Sequence, residues 1–118
     1  MEPIEVEKVQ LLLDKYKNKQ VYLHLETTNG AYASQFDNKG VNVGAYIRNT
    51  RIQYSQAKII GVGANGSYRV GLKIENGWVY AEGLTDWELY EGEKLLLAGH
   101  DPEGRLMVAL QISETPFD

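Results

Sequence analysis

Along Val21-Tyr-Leu-His-Leu-Glu26, apolar and polar residues alternate with a period of two, the pattern of a half-buried β-strand. The alternation sets Val21, Leu23 and Leu25 on one face and Tyr22, His24 and Glu26 on the other. Asn29-Gly30 follows, the strongest short hairpin signal, and Ala31–Phe36 resumes as a second strand. Besides Gln20–Glu26 and Ala31–Phe36, the pattern predicts strands at Val41–Arg48, Arg51–Ile60, Ser67–Glu75, Trp78–Glu82, Lys94–Ala98 and Arg105–Ser113. Two of these alternate most clearly: Tyr68, Val70, Leu72 and Ile74 share one face, as do Leu106, Val108, Leu110 and Ile112. Thr85–Gly92, with Trp87 among acidic residues, fits either a helical turn or an irregular strand.

Ahead of these strands the period changes. Val6, Val9, Leu12, Leu13 and Tyr16 recur at three- and four-residue spacing, which predicts one amphipathic helix over about 5–17. Pro3 stands at its start and Asn18 supplies a stop. Asn29-Gly30, Asn65-Gly66 and Asn76-Gly77 suit turns with positive φ, and Asp101-Pro-Glu-Gly104 suits a type I turn. Such closely spaced strands pair in sequence, antiparallel. Gly44, Gly61, Gly63 and Gly71 mark places where a sheet can bend. The expected fold is mostly β (α+β): a strongly curved, barrel-like antiparallel sheet over about 20–113 with one N-terminal α-helix, all in a single domain, 1–118.

Composition narrows the function more than the fold. The 118 residues carry a formal net charge of −4, which disfavours a nucleic-acid binder that neutralises phosphates. There is no cysteine, so disulfides, thiol nucleophiles and thiolate metal sites are excluded together. No apolar run approaches the ~18 residues of a membrane span, and no basic-then-apolar leader opens the chain. A soluble cytoplasmic protein is therefore expected.

Candidate chemistry is sparse. Gly61-Val-Gly-Ala-Asn-Gly66 matches the dinucleotide-binding spacing, but that motif must open a helix, and Ser67 onward alternates as a strand. His24 and Glu26 share a strand face, about 7 Å apart by strand rise, and with His100 could complete a metal set. The plainer reading has them on a solvated or dimer-facing sheet surface, with His100 in an exposed turn. Arg48 could clamp a carboxylate or phosphate, or belong to a surface turn at Asn49-Thr50. Eight tyrosines against two phenylalanines suit half-buried sheets and interfaces, with Tyr22, Tyr32, Tyr46 and Tyr54 as candidates for a cavity or stacking surface. The acidic run around Trp87 lacks the donor spacing of a calcium loop. No serine elbow is present.

His24-Leu-Glu-Thr-Thr-Asn-Gly-Ala-Tyr-Ala-Ser34, followed by Gly44-Ala-Tyr-Ile-Arg-Asn49, resembles the YojF-like family of Gram-positive bacteria, and the similarity runs the whole length. The resemblance implies a small cytoplasmic protein without an assigned activity, a strongly bent antiparallel sheet and a homodimer. It also implies a genomic association with a sugar deacetylase of low-molecular-weight thiol (bacillithiol) synthesis. It carries over no catalytic motif. The resulting expectation is a non-catalytic accessory or binding protein, with a deacetylase as possible partner and no cofactor, metal or catalytic residue assigned. Its contacts would fall at Tyr22, His24, Glu26, Tyr32 and Arg48. The alternatives are an enzyme using His24 and Glu26, or single-strand nucleic-acid binding.

Overall fold

The computed structural model describes residues 1–29, 41–63 and 66–117. Helix α1, Val6–Lys15, follows a two-residue strand β1, Glu2–Pro3. Pro3, expected at the helix start, instead pairs opposite Asp86 at a sheet edge, where the missing N–H does no harm. The apolar stripe is buried at Val9, Leu13 and Tyr16, whereas Val6 and Leu11 face solvent. Asn18 adopts φ 60 and turns the chain out of the helix, a conformation asparagine tolerates. No helix among the described residues is long and apolar enough to cross a membrane.

Eight strands follow: β2 (Val21–Thr28), β3 (Gly44–Ile52), β4 (Gln56–Val62), β5 (Ser67–Ile74), β6 (Gly77–Leu84), β7 (Asp86–Tyr90), β8 (Lys94–His100) and β9 (Leu106–Ser113). They form a six-stranded sheet, β1-β7-β8-β9-β2-β3, and a three-stranded sheet, β4-β5-β6. Every pairing is antiparallel. The expected mostly-β antiparallel architecture with one helix is present, but neither sheet closes into a barrel. The reason is that the chain leaves the first sheet at Gln53–Ser55, builds a second layer, and returns through Thr85. Thr85 donates its N–H to the Ala98 carbonyl and accepts from Ile4, so it already belongs to the six-stranded sheet's hydrogen bonding. One core joins the layers. Leu23, Leu95, Leu97, Leu110 and Ile112 meet Ile59, Val70, Leu72 and Ala81, with α1 contributing Val9 and Leu13.

Several local expectations are redistributed. Asn49-Thr50 is not a turn but lies inside β3, where Asn49 takes φ 56. The register there shifts so that Arg48 and Asn49 together stand opposite His24, a β-bulge. The true break comes at Tyr54, which is fully buried and donates its hydroxyl to the Leu13 carbonyl at 2.6 Å. Thr85–Gly92 resolves into strand β7. The turn joining β5 to β6 centres on Glu75-Asn76, since Ile74 pairs with Gly77. At Asp101–Gly104 the expected type I turn forms, closed by Gly104 N–H to the Asp101 carbonyl.

The Asn29-Gly30 signal has a different outcome from a tight hairpin. Both edges of β2 are occupied, by β3 on one side and β9 on the other, so its partner is 44–52. The Ala31–Phe36 strand, and Tyr32 with it, lies outside the described residues. Asn29 holds the residues that lead into β3: its Nδ2 donates to the Val41 carbonyl and its Oδ1 accepts from Val43 N–H. Tertiary pairing overrides the local turn preference.

The sheet ends are treated unequally. The outer edge of β4 is covered by α1, whose Gln10 side chain acts as an extra strand residue. Its Nε2 donates to the Ala57 carbonyl and its Oε1 accepts from Ile59 N–H. Along the outer edge of β3 no strand pairs among the described residues, and Val41, Val43, Tyr46 and Ile47 are exposed.

Candidate functional site

Alternation in β2 places Tyr22, His24 and Glu26 on the face of the six-stranded sheet that points away from the shared core, as the sequence predicts. The exposure expected for His24 is not found. Its residue surface is only 6% accessible, while Tyr22 and Glu26 are half-buried. His24 Nε2 lies 3.1 Å from Glu26 Oε1, and His24 Nδ1 is buried with no hydrogen-bond partner. The local bond fits the plain reading of a two-residue strand spacing. The burial has another origin.

That origin is visible in the neighbours. On the β9 side His24 stands opposite Gln111, and on the β3 side it faces the Arg48–Asn49 bulge. The bulge orients Asn49 toward the end of the chain. Asn49 Oδ1 accepts from Phe117 N–H, and Asn49 Nδ2 donates to the Phe117 carbonyl, both at 2.6 Å. Phe117 is itself buried, with the Arg48 guanidinium carbon 5.3 Å and Lys94 Nζ 5.8 Å from its ring centroid. Arg48 is therefore engaged by a cation–π contact. The chain's own C-terminal segment is thus tied to the β3 bulge that stands opposite His24. Sequence reasoning missed Phe117 and Asn49, because nothing in Thr115-Pro-Phe117 shows a period that would place it on a sheet.

The two histidines are not brought together. His100 Nδ1 lies 3.3 Å from Asp86 Oδ1 on β7, so each histidine keeps its own carboxylate. Among the described residues no three histidine, aspartate or glutamate side chains gather where a metal ion could sit. Gly61 and Val62 end β4 and Ser67 opens strand β5, so among the described residues no helix N-terminus follows to receive a pyrophosphate. The acidic residues around Trp87 lie along β7: Asp86 meets His100, and Glu88 meets the N-terminal ammonium at 3.5 Å. A cleft of about 600 Å³ opens elsewhere, where the β3–β4 link meets the β5–β6 turn.

The comparisons agree with this architecture. A family model described as a protein of unknown function (DUF1806) matches residues 3–117. The uncharacterized protein YojF of Bacillus subtilis (strain 168) is 53% identical over 117 residues, covering 99% of this chain and 98% of that one. The crystal structure of the Bacillus subtilis YojF protein matches with a TM-score of 0.80 at 48% identity, covering 99% of this chain and 96% of that chain. Likeness over such a span extends to the whole fold. It brings no activity with it.

Proposed function

The chain belongs to the DUF1806 family, whose function is unknown, and from that membership we propose that it is a non-catalytic accessory or binding protein. It works in the cytoplasm as a homodimer and serves the deacetylase step of a low-molecular-weight thiol (bacillithiol) pathway. The observation that carries the binding role is the β3 edge. Tyr46 is 73% exposed and stands opposite Glu26, while Val41, Val43 and Ile47 expose further apolar surface along the same margin. An added strand would satisfy the outward backbone groups and cover these side chains. The simplest such strand is β3 of a second copy, since an isologous pairing buries the same patch twice. Contacts at Tyr22, His24, Glu26 and Arg48 then lie beside or beneath the interface rather than in an open reaction cleft. Family resemblance is the argument that points to the deacetylase pathway.

The test has two arms. Sedimentation of the wild-type chain should give a dimer, and Ile47→Lys should give a monomer with an unchanged circular dichroism spectrum. A wild-type monomer at working concentrations ends the dimer reading. Tagged protein taken from native lysate should retain a sugar deacetylase in stoichiometric amount. Its absence, with the dimer intact, removes the pathway assignment alone. A second reading, an enzyme using His24 and Glu26, is favoured by the buried, unpartnered His24 Nδ1. It requires His24→Gln to abolish a turnover that the folded wild type displays.

A further inference from the structure

The outer face of the three-stranded sheet carries a stacked aromatic pair with no counterpart among the described residues. Trp78 and Tyr80 lie two residues apart on β6, with ring centroids 5.7 Å apart and planes within 10° of parallel. Both are largely exposed, Trp78 by 45% and Tyr80 by 56%. The position that lets them lie down is Gly71, directly opposite Tyr80. A Cβ there would stand 2.8 Å from Tyr80 Cε1 and 3.6 Å from Trp78 Cε3. The glycine clears a floor over which the two rings extend, instead of being pushed into the core or upright into solvent. About half of this aromatic surface stays in water, where it adds nothing to folding.

The charge around this pair is the second observation. Lys8, Lys17, Lys19, Arg69 and Arg105 are in ion pairs, and Lys15, Arg48 and Lys94 lie against aromatic rings. Among the described residues the three remaining cations, Arg51, Lys58 and Lys73, make no such contact. All three sit here. Lys73 stands directly opposite Trp78, and Lys58 faces Tyr80 across Gly71. Arg51 and Lys73 line the 600 Å³ cleft at the end of the sheet together with Asn18, Gln53 and Asn76, against the single carboxylate of Glu75. On a chain of net charge −4, two uncommitted cations beside one exposed aromatic pair, with a third in the adjoining cleft, are a local reversal of sign.

We propose that this face is a nucleotide-binding site, in which the base stacks on Trp78 and Tyr80 and the phosphate is held in the cleft by Lys73 and Arg51. A lone anion would leave the rings unused, and a neutral ring would leave the cations unused. Lys73, which stands opposite Trp78 and also lines the cleft, connects the two, and a mononucleotide carries both a ring and a phosphate. Single-stranded nucleic acid shares the chemistry, but the surrounding negative charge opposes a polyanion that extends beyond three cations. The aromatic floor is on the opposite sheet from His24, and of the residues proposed here only Arg51 belongs to the six-stranded sheet.

Calorimetric titration of the full chain with AMP, adenosine, inorganic phosphate, a hexose monophosphate and oligothymidylate tests it, with tryptophan fluorescence followed in parallel. AMP should bind and quench Trp78 emission, while adenosine and inorganic phosphate each bind more weakly. Trp78→Ala should weaken AMP binding by about tenfold or more, and Lys73→Gln should weaken it severalfold and flatten its salt dependence. Circular dichroism of both variants separates lost binding from lost folding, and Tyr80→Phe, which keeps the ring, should retain affinity. The proposal is overturned by AMP giving neither heat nor quenching, or by a hexose monophosphate or inorganic phosphate matching it. Tighter binding of oligothymidylate than of AMP, or unchanged AMP affinity in a folded Trp78→Ala protein, overturns it equally.

Discussion

The two outer faces of this molecule differ in how the chain treats its polar and aromatic residues. On the six-stranded sheet the face bearing His24 and Glu26 is closed in by the protein itself: Phe117 is gripped by Asn49, and Arg48 and Lys94 lie against its ring. On the three-stranded sheet Trp78 and Tyr80 lie open over Gly71, beside cations that have no partner among the described residues. The first face holds the residues that look like chemistry, and it uses them internally. The second holds residues that look like surface packing, and it leaves them available. Residue type is a poorer guide to a binding site than whether the fold has already engaged the residue.

The inner faces set the scale for that comparison, since there the two sheets are alike. Leu72 under the open face and Leu110 under the closed one are both essentially inaccessible. Leu72→Ala and Leu110→Ala should each lower unfolding free energy by about 2–5 kcal/mol in denaturant titrations. A small loss at either would mean that one sheet contributes little to the shared core. The outer faces should then separate. His24→Ala removes a buried side chain together with its bond to Glu26, at a cost of about 1–3 kcal/mol. Asn49→Ala severs both links to Phe117 and should cost about 1–2 kcal/mol. If both variants unfold at the wild-type midpoint, the closed face is closed only in appearance.

Between the faces lies the joint at Tyr54, where the chain crosses from one sheet to the other. Burial, reinforced by Tyr16 and Asp14, pushes its phenol well above the ordinary tyrosine value of 10.0, and burial raises Tyr16 as well. The unfolded chain therefore loses these protons at lower pH than the folded one. Stability is fully present below pH 10.0 and falls as pH rises from there toward the folded value. Tyr54→Phe should lose about 1 kcal/mol near neutrality, through the missing bond to the Leu13 carbonyl, and should show a shallower alkaline decline. Alkaline unfolding curves of equal slope in both proteins would remove Tyr54 as the titrating group.

How much of this was legible depended on whether the deciding interaction was local. The inward faces of β5 and β9 could be read from alternation, because burial of Val70, Leu72, Val108 and Leu110 follows directly from strand geometry. The helix was read from its stripe. The division into two sheets was not, since a three-residue crossing with Tyr54 buried looks in sequence like a continuing strand from Arg51. Asn29-Gly30 was read as a tight turn because the signal is local, whereas β3 and β9 occupy β2 through long-range pairing. The His24–Glu26 contact was visible in a two-residue spacing. Its burial was not, because the strands on both sides of His24, and the bulge at Arg48–Asn49 opposite it, are set by long-range pairing.

The smallest expected effect tests the open face most sharply. Trp78→Ala and Tyr80→Ala each delete a large ring, a change that in a core costs about 3–5 kcal/mol. Here both rings are about half exposed, and the floor beneath them is the backbone at Gly71 rather than a side chain that would lose its packing. Their stacking on each other is worth about 0.5–1.5 kcal/mol at most, and solvent reclaims part of it. Each variant should therefore unfold within about 0.5 kcal/mol of wild type, well short of His24→Ala. A loss above that of His24→Ala would make the pair a structural brace on β6 and reverse the comparison. A near-zero loss accompanied by lost AMP binding would leave recognition as the reason for two exposed rings.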